Sequence, residues 1–203
     1  MADTDISICN GALARLGESS IADFTSDSKS IICGALYPKF ANTLLSMYNW
    51  RFARKKSGTL TQTTTPDNAW SYAYTVPADF LTLVNVYNSG DASALPLTQG
   101  YEMFAGTIVT NETALFVDYN YTVDEDLWPD YFQTFAMNAV AALLAVPITE
   151  DETKESFYRQ IAFGTPSEGG QGGIFKQSKG IDSRQQPIMP FPTPSLIDAR
   201  FSY

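Results

Sequence analysis

The final forty residues constrain this chain most, because after Phe163 the helical spacing of apolar residues stops and nothing beyond it is patterned to fold on itself. Gly169, Gly170, Gly172 and Gly173 crowd into residues 164–180. Glycine loses more freedom on ordering than any other residue, so this stretch is expected to be a flexible tether. Beyond it, Gln185 to Tyr203 carries Pro187, Pro190, Pro192 and Pro194 interleaved with Ile188, Met189, Phe191, Leu196, Ile197, Phe201 and Tyr203, together with Arg200. Proline forbids helix and disfavours central strands, and apolar side chains at this density gain nothing in water. Tails that stay unfolded are poor in such residues. The segment therefore reads as an arm that docks on another polypeptide.

The self-contained fold must lie before it. Ile6, Cys9, Leu13 and Leu16 recur at helical spacing, with Asp3, Thr4 and Asp5 as available N-caps and Gly17 as the stop, which predicts a helix from about Asp5 to Leu16. Ile32, Leu36, Phe40, Leu44 and Met47 predict a second helix from near Ser28, with Pro38 expected to kink or restart it. From Trp50 the pattern alternates. Short runs at Tyr72–Val76, Phe80–Tyr87, Thr107–Val109 and Ala114–Tyr121, separated by turn residues, predict a small antiparallel sheet. Phe80–Tyr87, apolar on both faces, is expected at its centre.

Helix resumes at Pro129, where Phe132, Phe135, Ala136, Ala139, Val140, Leu143 and Leu144 form a broad stripe suited to the centre of the core. Thr149-Glu150-Asp151-Glu152 reads as a capping box opening a fourth helix through Ile161, with Phe157 and Ile161 as its buried contacts. The expected fold class is α+β: an antiparallel bundle of about four helices (residues 1–56 and 126–163), an inserted small antiparallel β region (57–125), and a tether with an extended C-terminal arm (164–203).

Several function classes are disfavoured. The net charge of −9 opposes a chain that grips nucleic acid, since such affinity comes from Lys and Arg on phosphate. The chain has no His, which removes the commonest general base and zinc ligand, so no metal or cofactor is expected. Cys9 and Cys33 lie in helical apolar patterns and read as buried reduced thiols. The acidic start lacks the order of a secretory signal, which points to synthesis in the cytoplasm. The longest apolar run, Ala139 to Ile148, is interrupted by Pro147 and reads as too short to cross a membrane. Charged residues make up only 17% of the chain while Tyr and Phe number 11 and 13, a balance that fits surface covered by other subunits.

Three groups of residues invite chemistry. Arg51, Arg54, Lys55 and Lys56 flank Trp50 and Phe52 in a miniature of a nucleic-acid patch. The plainer reading packs the aromatics where helix meets sheet and leaves the cations solvated or paired with acidic neighbours; a third reading has them form salt bridges to the next subunit. Asp118, Asp124, Glu125, Asp126 and Asp130, then Glu150, Asp151 and Glu152, hold enough carboxylates for glycoside hydrolysis, but helix capping accounts for them more simply. Gly169 to Gly173 lacks the strand, helix and Lys-Ser or Lys-Thr pair of a phosphate loop, and reads as a hinge.

Taken together, Ile8-Cys9-Asn10-Gly11-Ala12-Leu13-Ala14-Arg15-Leu16-Gly17-Glu18 and a second helix ending in Asn49-Trp50-Arg51-Phe52-Ala53 resemble the opening of the tail tubular protein A family, the head-to-tail adaptors of short-tailed bacteriophages. Tyr74-Thr75-Val76-Pro77-Ala78-Asp79-Phe80-Leu81 and Trp128-Pro129 are similar to later parts of that family, so the resemblance covers most of residues 5–163. It implies a structural virion protein without catalysis, located in the neck between portal and tail. About twelve copies would form a ring under the portal protein, extend the DNA channel without gripping the genome, and present a platform to the next tail or nozzle protein. Pro187, Ile188, Met189, Phe191, Leu196, Ile197, Arg200, Phe201 and Tyr203 would then contact the portal or a neighbouring subunit, with Arg51, Arg54, Lys55 and Lys56 as inter-subunit charge contacts. The alternative is a tail-associated carbohydrate-degrading hydrolase using a carboxylate pair.

Overall fold

Local sequence signals start and stop the first two helices. The structure, a computed structural model, describes residues 4–63, 66, 69–104 and 106–185. Helix α1 spans Asp5–Leu16: Thr4 caps it in a reciprocal box with Ser7, and Gly17 ends it at φ 81°. Ile8, Ala12 and Leu16, with Cys9 and Leu13, form its buried stripe. Helix α2 spans Ser28–Ser46, with the Asp27 carboxylate accepting from the Ser30 N–H. It runs as one element through Pro38 rather than restarting there. Its buried face is Cys33, Tyr37, Ala41, Leu44 and Leu45, offset from the expected stripe, so that Ile32, Leu36 and Phe40 only flank the core and Met47 is exposed.

Helix α3, Asp130–Thr149, is the axis of the molecule, buried on most sides by α1 and α2 and by two later helices, α4 (Glu152–Phe163) and α5 (Gly173–Ser183). Its alanines permit close approach. At Gly11 of α1 an added Cβ would lie 2.7 Å from the sulfur of Met137. By length and composition α3 is long and apolar enough to cross a membrane, contrary to the expectation that Pro147 breaks the run; 61% of that stretch is buried inside the protein, the setting of a core helix. Pro147 is tolerated in its last turn because the donor it lacks would serve Leu143, which borders an open groove.

Strands lie between α2 and α3. Strands β1 (Arg54–Lys56), β2 (Tyr72–Thr75), β3 (Phe80–Tyr87), β4 (Tyr101–Phe104), β5 (Thr107–Thr110) and β6 (Phe116–Tyr121) form two antiparallel three-stranded sheets, ordered β1-β6-β3 and β2-β5-β4. The fold is thus α+β, but β6, not β3, is the central strand of its sheet. Strand β3 lies at an edge, and apart from the buried Val86 its residues are half-buried. The sheets enclose their own small core of Leu60, Tyr74, Val86, Ile108, Leu115, Val117 and Tyr119. Buried Asn120 of β6 ties its sheet to the end of α2, its Nδ2 donating to the Tyr48 carbonyl at 2.8 Å.

The C-terminal region departs most from expectation. Residues 164–183 are not a tether: a short 3-10 turn at Pro166–Glu168 leads into α5, which packs on α3 and α4. The glycines serve a tight turn. Gly173 sits at φ 57°, where an added Cβ would be 2.4 Å from the Ile161 carbonyl, so close backbone approach fixes this end of the run read as a hinge, while Gly169 and Gly170 take positive φ in open space. Helix α4 also differs: its N-cap is Asp151 rather than Thr149, and Glu150 is left-handed at φ 53°. Phe157 is 56% exposed, and Ala162 is the residue that α4 buries fully. The arm residues Pro187 to Tyr203 lie outside the described residues.

Candidate functional site

The segment Trp50 to Lys56 is where helices meet sheet. Trp50 is fully buried, its ring 4.9 Å from Phe132 and 5.9 Å from Phe175, and its indole N–H donates to the Leu44 carbonyl at 3.1 Å. From Arg54 the chain becomes β1, and the two-residue period of a strand sends Arg54 and Lys56 to one face and Lys55 to the other. Each face holds a carboxylate. Arg54 Nη2 lies 2.7 Å and Lys56 Nζ 3.8 Å from the Asp118 carboxylate, whose side chain is only 3% exposed, and Tyr87 donates its hydroxyl to the same group at 3.0 Å. Lys55 Nζ lies 2.7 Å from Asp79, which also accepts from the Tyr119 hydroxyl at 3.0 Å. The Lys55 ammonium beside it holds the Asp79 carboxyl below the ordinary carboxylate range.

Three of the four cations expected at an inter-subunit contact therefore have partners in their own chain. Arg51 differs, contributing its backbone. Its N–H donates to both oxygens of Asp182, at 3.2 and 3.1 Å, and the Tyr131 hydroxyl donates to one of them at 2.8 Å. Asp182 is fully buried, and burial beside it pushes the Tyr131 phenol well above its usual range. This clamp fixes the last turn of α5 against the starts of β1 and α3. Sequence reasoning missed it because Asp182 fell in a stretch assigned to the arm; its one signal was the apolar pair Ile174 and Phe175 in helical register with Ser178 and Asp182.

Apart from Asp118, which lies in β6, the acidic residues divide between the two ends of α3. Asp126 sits in a 3-10 turn and Asp130 in the first helical turn, while Glu150 to Glu152 join α3 to α4. Asp151 accepts from the Thr153 and Lys154 N–H groups, the capping role expected of it. Twenty helical residues keep the two sets roughly 30 Å apart. Carboxylate pairs in glycoside hydrolysis stand about 5–9.5 Å apart, so no such pair can be drawn across the sets. Among the described residues, no group of three or more metal-ligating side chains is suited to hold an ion. Cys9 and Cys33 are buried free thiols, and their mutual hydrogen bond, followed by burial, pushes the Cys9 thiol up.

A groove of about 890 Å³ runs along α3, walled by α2 on one side and by α4 with the glycine turn on the other. Phe40 of α2 and Met47 just after it line the groove with Leu143 and Val146 of α3 and Phe163 of α4. The rim is polar, with Glu155 and Arg159 paired at 3.1 Å. The groove was foreshadowed in α2, where the apolar stripe is wider than one contact face requires: Cys33, Tyr37 and Ala41 take the core side, leaving Phe40 and Met47 beside it. Compared with known proteins, the chain matches no family model and no curated sequence.

Proposed function

We propose that this chain is a structural virion protein, a head-to-tail adaptor of the tail tubular protein A type. About twelve copies form a ring under the portal in the virion neck, extend the DNA channel and carry the next tail protein. The observation that carries this reading is that the residues bearing the resemblance organise the scaffold. The Asn10 side chain exchanges hydrogen bonds with the Ile21 backbone at 2.7 and 3.0 Å. Gly11 admits Met137, Trp50 centres the aromatic core, and the Trp128 indole N–H donates to the Val123 carbonyl at 2.9 Å. The helices are the bundle half of such an adaptor, with the two small sheets as its inserted β half.

Charge supports the same reading. At −9 per chain, a ring of about twelve carries about −108, and a duplex moving through its lumen meets a repellent wall rather than a sticky one. Weak arm contacts, repeated around the ring, hold through effective concentration. The test is imaging of the full chain mixed with its portal protein, beside a chain ending at Gln185. The full chain is expected to form closed rings on the portal, and the truncated chain to stay folded without joining particles. A full chain that stays solitary with portal present, or that cleaves host polysaccharide, would overturn the reading.

A further inference from the structure

We propose that the groove between α2, α3 and α4 is the seat of residues 186–203 of a neighbouring copy. This rests on the adaptor reading only in requiring that copies stand side by side. The groove needs an apolar, extended occupant: its walls carry Phe40, Met47, Leu143 and Phe163, with Met47 39% and Val146 42% exposed in the isolated chain. Its volume of about 890 Å³ is near the upper end of the ~300–1,000 Å³ typical of binding pockets.

The arm has the matching chemistry. Pro187-Ile188-Met189-Pro190 is a PxxP sequence followed by Phe191, Pro192 and Pro194. Such segments favour the polyproline II helix, which makes no internal hydrogen bonds and docks into aromatic-lined grooves at low cost in ordering entropy. Ile188, Met189 and Phe191 supply what the groove floor lacks. Arg159 and Gln160 on the rim can donate to the arm's free carbonyls.

Reach allows it. The last described helix is pinned at Asp182 to Tyr131, in the first turn of α3. The groove starts near Ala139 and ends near Val146, about 12 to 22 Å farther along that helix. About eighteen residues extend up to ~60 Å, enough to pass beyond one subunit and fill a groove on the next. In a closed ring every copy then gives one arm and receives one, leaving no groove empty, which is how a heterologous contact closes.

A photo-crosslinking residue placed at Phe191 of the full chain tests this. Light chains carrying it are mixed with isotopically heavy chains without it, irradiated with and without the portal protein, and the products mapped by mass spectrometry. Heavy–light links to Met47, Leu143 or Phe163 are expected. The exposed groove-wall change Thr43→Arg, at a residue whose hydroxyl donates to the Lys39 carbonyl of its own helix, is expected to cut those links at least tenfold without changing the melting temperature. Links confined within one chain, links to other surfaces, or no links would each overturn the proposal. Heavy–light links elsewhere on the neighbour sink the groove while leaving the ring, whereas failure to see rings by imaging sinks the adaptor reading by itself.

Discussion

Replacing Phe175 by Ala tests whether residues 164–183 belong to the core. Phe175 is fully buried, with ring centroids 5.1 Å from Phe135, 5.9 Å from Trp50 and 6.2 Å from Phe163. Truncating a buried Phe costs about 3–5 kcal/mol in lost transfer and cavity energy. Stacking on Phe135, worth about 0.5–1.5 kcal/mol beyond area, favours the upper half of that range. For a chain of this size each kcal/mol moves the midpoint about 2–4 °C, so Phe175→Ala, at about 4–5 kcal/mol, should lower Tm by about 8–20 °C. Chemical denaturation gives the free energy, and amide exchange over Gly173–Ser183 shows whether α5 leaves alone or with the rest. Phe157→Ala, at a residue 56% exposed, is the control and should cost under about 1 kcal/mol. A Phe175→Ala protein within about 0.5 kcal/mol of the parent, with α5 amides equally unprotected in both, would refute the packing argument and restore the tether.

Three further expectations concern stability. Gly173→Ala places a Cβ 2.4 Å from the Ile161 carbonyl at φ 57°, and should cost at least about 1–2 kcal/mol in denaturation midpoint, whereas Gly58→Ala, with open space around it, should be nearly neutral. Arg54→Ala leaves the Asp118 carboxylate buried without its nearest cation; since Arg54 is itself partly exposed, a loss of about 2–3 kcal/mol is expected by urea titration, and a loss below about 0.5 would mean Lys56 and Tyr87 suffice. Asp79 has its folded pKa depressed, so its pairing with Lys55 stabilises the fold above the unfolded carboxylate value near ~3.9 and fades as pH falls through the lower folded value. Lys55→Met should therefore melt below the parent at pH about 7 and with it at pH about 2; equal melting at both would discount the pair.

How much was legible varied with the range of the interaction. Helix α1 was readable to its ends because Thr4, Gly17 and the stripe between them act within a few residues of one another. The role of β1 was not, since Arg-Lys-Lys looks like a solvated loop until β6, more than sixty residues on, supplies Asp118 opposite Lys56. The same holds for β3: alternation marks a strand, but which strand lies at a sheet's edge depends on partners from elsewhere in the chain. The glycine run misled for a related reason. Glycine signals permission to adopt unusual conformations, and whether that permission serves a tether or a tight turn depends on what approaches; here the Ile161 carbonyl and the Glu168 carboxylate do.

By itself, then, the sequence determined the elements whose causes are local, the order of helices, strands and helices, and the apolar character of the last residues, because caps, periodicity and proline act over a few positions. Tertiary structure alone decided that Asp182 is buried beneath Arg51 and Tyr131, that the basic segment meets its carboxylates within the chain, and that Phe40 and Met47 wall a groove instead of filling the core. Each of those outcomes depends on which surfaces meet once chain entropy has been overcome. Residue type fixes what a side chain can bond to, and only the fold fixes what it finds there.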